Sequence, residues 1–109
     1  MSDTASQITR FSIDGPLTLR GAAAAHEQLL GQIASNDDTR IEIPADQDVD
    51  VCGLQLIEAA RLYAASSGKV LALHAPADGK LLQVLELAGF IEGASDEDRA
   101  FWLHEGKAS

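Results

Sequence analysis

Polar and apolar residues alternate over Ile8–Ile13. Thr9, Phe11 and Ile13 share one side and Ile8, Arg10 and Ser12 the other, which predicts a strand. Asp14-Gly15 gives a turn, and Pro16-Leu17 fits a short second strand at a sheet edge. Thr18 is placed to cap a helix over Leu19–Ser35, in which Ala22, Ala25, Leu29 and Ile33 recur at helical spacing. Arg40–Ile43 reads as a strand stopped by Pro44. The acidic loop Asp46–Asp50 then runs into a second helix, Val51–Ser67, closed by Gly68. The nearly continuous apolar run Val70–His74 predicts an interior strand. Asp78 can cap a third helix reaching about Ala88, with Gly89 to close it.

Strands separated by helices imply right-handed crossovers and parallel pairing. The expected fold class is therefore α/β: a mixed, mostly parallel sheet of about four strands packed with about three to four helices. Residues 1–7 read as a flexible lead-in and residues 8–91 as the domain. Residues 92–109 form an acidic, then apolar segment whose Phe101, Trp102 and Leu103 are expected to dock on the domain.

Composition narrows the function. Of 109 residues, 46% are hydrophobic and only 5% aromatic, which suits an aliphatic core better than a base- or sugar-stacking site. A net charge of -9 argues against nucleic acid and against an anionic membrane surface, both of which call for clustered Lys and Arg. A single cysteine excludes an internal disulfide and a multi-cysteine zinc site. With no leader at Met1–Gln7 and no apolar run of spanning length, no membrane insertion is expected and the expected setting is cytoplasmic.

Candidate chemistry is sparse. Asp46, Asp48 and Asp50 alternate as at the start of a calcium loop. However, the sixth position is Val51 instead of glycine, and Glu58 falls one place late for the twelfth. His26, His74 and His104 lack ligand-like spacing, so no metal is expected. No glycine-rich phosphate loop is present, and Asp78-Gly79-Lys80 reads as a cap and first turn. Cys52 could meet a histidine in space and act as a nucleophile, but no second loop offers oxyanion donors. The chain is therefore expected not to be an enzyme.

Cys52 sits between an aspartate-rich loop and Gly53. It reads as a small packing residue, or as a thiol made more reactive by the helix start, which the nearby acids oppose. Projected at helical periodicity, Gly53, Leu56, Ile57, Ala60, Tyr63 and Ala64 form the inward face of the second helix. Leu54, Gln55, Glu58, Arg61, Leu62 and Ala65 form an outward face suited to a protein partner.

Four pieces in order resemble the STAS family, the domain of anti-sigma-factor antagonists and of the cytoplasmic ends of sulfate transporters. They are Asp14-Gly15-Pro16-Leu17-Thr18, Ile41-Glu42-Ile43, Asp50-Val51-Cys52-Gly53-Leu54-Gln55-Leu56, which is similar to a D-S-S-G-L-x-x-L pattern, and the Leu81–Phe90 helix. The resemblance covers Ile8–Ile91. It implies regulation by docking, with neither cofactor nor catalysis, and a Ser or Thr phospho-switch just before the glycine. Cys52 occupies that position and is not phosphorylatable by a Ser/Thr kinase; Thr18 and Ser12 remain as other possible phosphosites. By resemblance, the partner is an anti-sigma factor or a histidine-kinase-like protein in stress or chemotaxis signalling. It would bind Asp48, Asp50, Cys52, Leu54, Gln55, Glu58, Arg61 and Leu62. Two alternatives stay open: an accessory subunit that binds the ATPase of a phospholipid ABC transporter, and a thiol-dependent enzyme or redox sensor.

Overall fold

A computed structural model describes residues 8–13 and 16–104. The elements run β1 (Thr9–Ser12), α1 (Ala22–Ser35), β2 (Asp38–Glu42), α2 (Val51–Ser66), β3 (Val70–Leu73), α3 (Gly79–Leu87) and α4 (Asp96–Leu103). The three strands form one sheet in the order β1-β2-β3, with both pairings parallel. The chain is thus a small α/β domain. The expected lead-in at residues 1–7, the Asp14-Gly15 turn and the end of the tail at 105–109 lie outside the described residues.

Three expectations are corrected. The Pro16-Leu17 strand is a single bridge residue, since Leu17 pairs with Val49 in parallel and with no strand. Thr18 does not cap α1. Its carbonyl instead accepts from the Gly21 amide at 3.0 Å, and this turn delays the helix to Ala22, with Gly21 at the cap position. The apolar run Val70–Leu73 is not interior: β3 lies at the sheet edge, and the charged β2 lies in the middle.

That inversion follows from topology. Two crossovers stepping the same way across the sheet leave the second strand flanked on both sides. In β2, Thr39 and Ile41 are buried, while Asp38, Arg40 and Glu42 alternate onto the other, wetter face. Arg40 reaches Asp38 at 2.7 Å and Arg10 pairs with Glu42, so the charges of that face are neutralised within the sheet.

The core gathers Leu17, Leu29, Ile33, Ile41, Leu54, Ile57, Leu73, Leu85 and Trp102. Leu17 joins the two halves of this core. Its amide donates to the Asp48 carbonyl at 2.7 Å, and its carbonyl accepts from the Asp50 amide at 3.1 Å. Asp50 caps α2, its carboxylate accepting from the Gly53 amide at 3.2 Å. The other carboxylate oxygen accepts from the Leu19 amide at 3.2 Å, so a single side chain ties the start of α2 to the segment before α1.

Gly53 permits this junction. A Cβ there would lie 2.1 Å from the Leu17 carbonyl oxygen and 2.9 Å from the Leu17 Cβ, both inside contact distance. Gly53→Ala is expected to lower unfolding stability by about 1–3 kcal/mol through overpacking. Urea denaturation measures this, and an unchanged midpoint would show that the backbone relaxes freely there.

Candidate functional site

Three regions of the molecule carry exposed or polar groups in arrangements that could bind something. These are the start and outer side of α2, the flank of α2 under α4, and the edge of the sheet where the strands end.

At the first region, Val51 opens α2 exposed and Cys52 is half-buried, with no hydrogen bond to its sulfur among the described residues. Gln55, Ala59 and Leu62 continue from Val51 at helical spacing and are all exposed, Leu62 by 73%. Leu19, 75% exposed, stands next to this stripe, because its amide is held by Asp50. Asp48 is exposed on the loop, where its carboxylate accepts from Lys80 at 2.9 Å. This contact holds the Lys80 ammonium above its ordinary pKa. The structure therefore brings Asp48, Asp50, Cys52, Gln55 and Leu62 together along one side of the α2 start.

Leu54 does not belong to that surface. It is fully buried, at 0% exposure, which corrects its expected outward position. It lies on the flank of α2 to which α4 is fastened, a contact that the sequence pattern of α2 does not register. Trp102, itself 1% exposed, donates from Nε1 to Glu58 at 3.2 Å. Arg61 pairs with Asp98 at 3.2 Å and with Glu58 at 2.9 Å, and its guanidinium lies 4.3 Å from the centre of the Phe101 ring. Leu54 lies one helical turn before Glu58 on this covered flank. Glu58 and Arg61 thus serve contacts within the chain, as half-buried polar fasteners for α4. Tyr63, expected to point inward, is 37% exposed, because burial has shifted around α2 toward the α4 side.

The remaining candidates fall elsewhere. Thr18 is half-buried in the turn before α1. Ser12 donates to Glu42 at 2.7 Å on the wetter sheet face. His74 lies beside it, with Nε2 2.9 Å from the Arg10 guanidinium and 3.7 Å from the Glu42 carboxylate. His104 adopts a left-handed conformation at φ 57° after α4 and contacts the Leu73 carbonyl at 3.1 Å. Among the described residues, no three His, Cys, Asp or Glu side chains gather where they could hold a metal ion, and no helix is long and apolar enough to cross a membrane.

Sequence reasoning missed the third region. Ser12, Glu42, His74 and Asp78 meet where the strands of the parallel sheet end, around a cleft of about 310 Å³. Only the parallel registers Ser12↔Glu42 and Ile41↔Leu73 place them there, so a helical or strand period carries no sign of the cleft.

Leu54→Ala is expected to cost about 2–5 kcal/mol of stability, and Leu62→Ala to stay within about 0.5 kcal/mol of wild type. Equal losses in thermal melts would overturn the assignment of the two faces. The bonds from Ser12 and then Arg10 hold the Glu42 carboxyl below its ordinary pKa. Its folded-state pKa is depressed, so its stabilising contribution is present above the ordinary carboxylate pKa and fades as pH falls through the lower folded value. The gap in urea midpoint between wild type and Glu42→Gln should therefore be open at neutral pH and narrow in acid. No family model, no curated protein and no solved structure matches the chain, so its function rests on the geometry described above.

Proposed function

We propose that the chain is a non-enzymatic, cytoplasmic regulatory domain of the STAS type, acting by docking a protein partner on the loop Asp46–Asp50 and the outer side of α2. The observation that carries this reading is the exposed stripe Val51, Gln55, Ala59 and Leu62, beside Leu19 and bordered by the acidic loop. Apolar side chains ringed by polar ones on a rigid helix suit an interface with a polar rim. The docking residues are Cys52, Gln55 and Leu62, with Asp48 and Asp50, both bonded within the chain, as the acidic border; Leu54 leaves the set because it is buried, and Glu58 and Arg61 because they hold α4.

Resemblance points to an anti-sigma factor or a histidine-kinase-like protein as the partner. Cys52 lies within this surface, so the domain binds without a phosphate switch at that position. Its thiol acts there by size and apolarity, as a small hydrophobe in the first turn. A carboxylate in its place would add charge beside Asp50 and Asp48, opposing the contact.

The test is affinity purification of partner from native cytoplasm, followed by calorimetry of the captured protein against three variants. Leu62→Glu is expected to weaken binding by about 2 kcal/mol or more, as at a central contact. Cys52→Ser should bind like wild type and Cys52→Asp more weakly. Equal affinity for wild type, Leu62→Glu and Cys52→Asp, all with native circular dichroism, would sink this surface.

A further inference from the structure

The cleft at the carboxyl end of the sheet takes no part in the docking surface on α2. It opens where Ile43, Pro44 and Ala45 leave β2 and Ala75, Pro76 and Ala77 leave β3. The two connections frame a crevice beyond the carboxyl ends of β2 and β3. Ile41, Leu73 and Leu81, each no more than 3% exposed, back its floor, whose open apolar surface comes from Pro44, Ala45, Ala75 and Pro76. Its volume of about 310 Å³ suits a compact small molecule.

Gly79 keeps the wall of the cleft closed. It sits at φ 57°, and a Cβ there would lie 2.2 Å from the Ala45 carbonyl oxygen. The following Lys80 amide donates to that same oxygen at 2.9 Å, so the first turn of α3 is pinned against the end of β2. The pinning holds Asp78 at the rim, where its carboxylate accepts no hydrogen bond among the described residues, not even from its own helix.

The ionisable side chains lining the cleft are Glu42, His74 and Asp78, with no lysine or arginine among them. Arg10 stands just beyond, bound to Glu42 and to His74. A carboxylate offers about four lone-pair sites, of which Ser12 and Arg10 take two on Glu42, so both Glu42 and Asp78 keep acceptor capacity.

We propose that this cleft binds a small organic cation, an ammonium group on a compact apolar or aromatic body. The body would lie against Pro44, Ala45, Ala75 and Pro76, and the ammonium between Asp78 and Glu42. An anion of the same shape would face the unpartnered Asp78 and find no lysine or arginine in the lining, since Arg10 beyond it is already bound to Glu42. A neutral analogue would keep the floor contacts and lose the charge pairing.

Three probes of nearly equal shape test this: phenethylammonium, 2-phenylethanol and 3-phenylpropionate, titrated at neutral pH into ¹⁵N-labelled full chain. Phenethylammonium should shift the amides of Ser12, Glu42, His74 and Asp78 selectively, and bind more tightly than either analogue. Asp78→Asn keeps the side chain's shape and should weaken the cation by about five-fold, as expected for one partly exposed ion pair. Glu42→Gln provides a second, independent loss. Equal binding of the three probes, shifts scattered away from the cleft, or unchanged affinity in both folded variants would each overturn the proposal.

Discussion

The contact on which the rest of the structure depends is the one between Leu17 and the start of α2. Leu17 exchanges backbone hydrogen bonds with Asp48 and Asp50, Asp50 caps α2, and Gly53 lets the helix approach the Leu17 carbonyl closely. The two bonds of the fully buried Leu17 backbone are shielded from water, which strengthens them. They set where α2 begins and which of its residues face the core. Because Asp50 also holds Leu19, they set what stands beside the exposed start of the helix as well.

The second constraint is the closure of the domain by its own C-terminal helix. Trp102 meets Phe90 and Phe101 edge-on, with ring centres 6.2 and 5.0 Å apart, and brings a large apolar area into a domain poor in aromatics. The Ala77 amide donates to the Trp102 carbonyl at 2.8 Å, so α4 also braces the connection after β3. Glu58 and Arg61 have long apolar stems and polar ends, which lets them sit half-buried under α4 while their charges find partners there. One flank of α2 is thereby spent inside the molecule, and the other stays exposed.

These two closures divide the surface by chemistry. The outer side of α2 carries exposed Val51, Ala59 and Leu62 with an acidic border, and Leu62 also borders the groove between α2 and α4. The end of the sheet is concave, because α3 is pinned to the β2 connection while the strands stop short, and a concave site with few polar groups suits a small ligand. The shared element is the segment after β2: Ala45 fixes α3, and Asp48 pairs with Lys80 of that helix.

The sequence by itself determined α2, α3 and the end of α1, because periodicity, Asp50 as a cap and Gly68 and Gly89 as terminators are local signals, whereas the start of α1 and the helical form of α4 emerged only in the folded chain. It also determined that Leu56, Ile57, Ala60 and Ala64 face inward, since they lie at the centre of the apolar arc. The margins of that arc were decided only in the folded chain. Leu54 and Tyr63 flank it almost symmetrically in sequence, and α4 covers one side and leaves the other open. Strand order was likewise decided by long-range pairing. An apolar β3 looks central and a charged β2 peripheral, yet successive crossovers put β2 in the middle, where ion pairs across one face make its charges tolerable. Local pattern records how a residue relates to its own helix or strand. Which neighbour covers that element, and which strand ends meet around a cleft, depends on residues dozens of positions away.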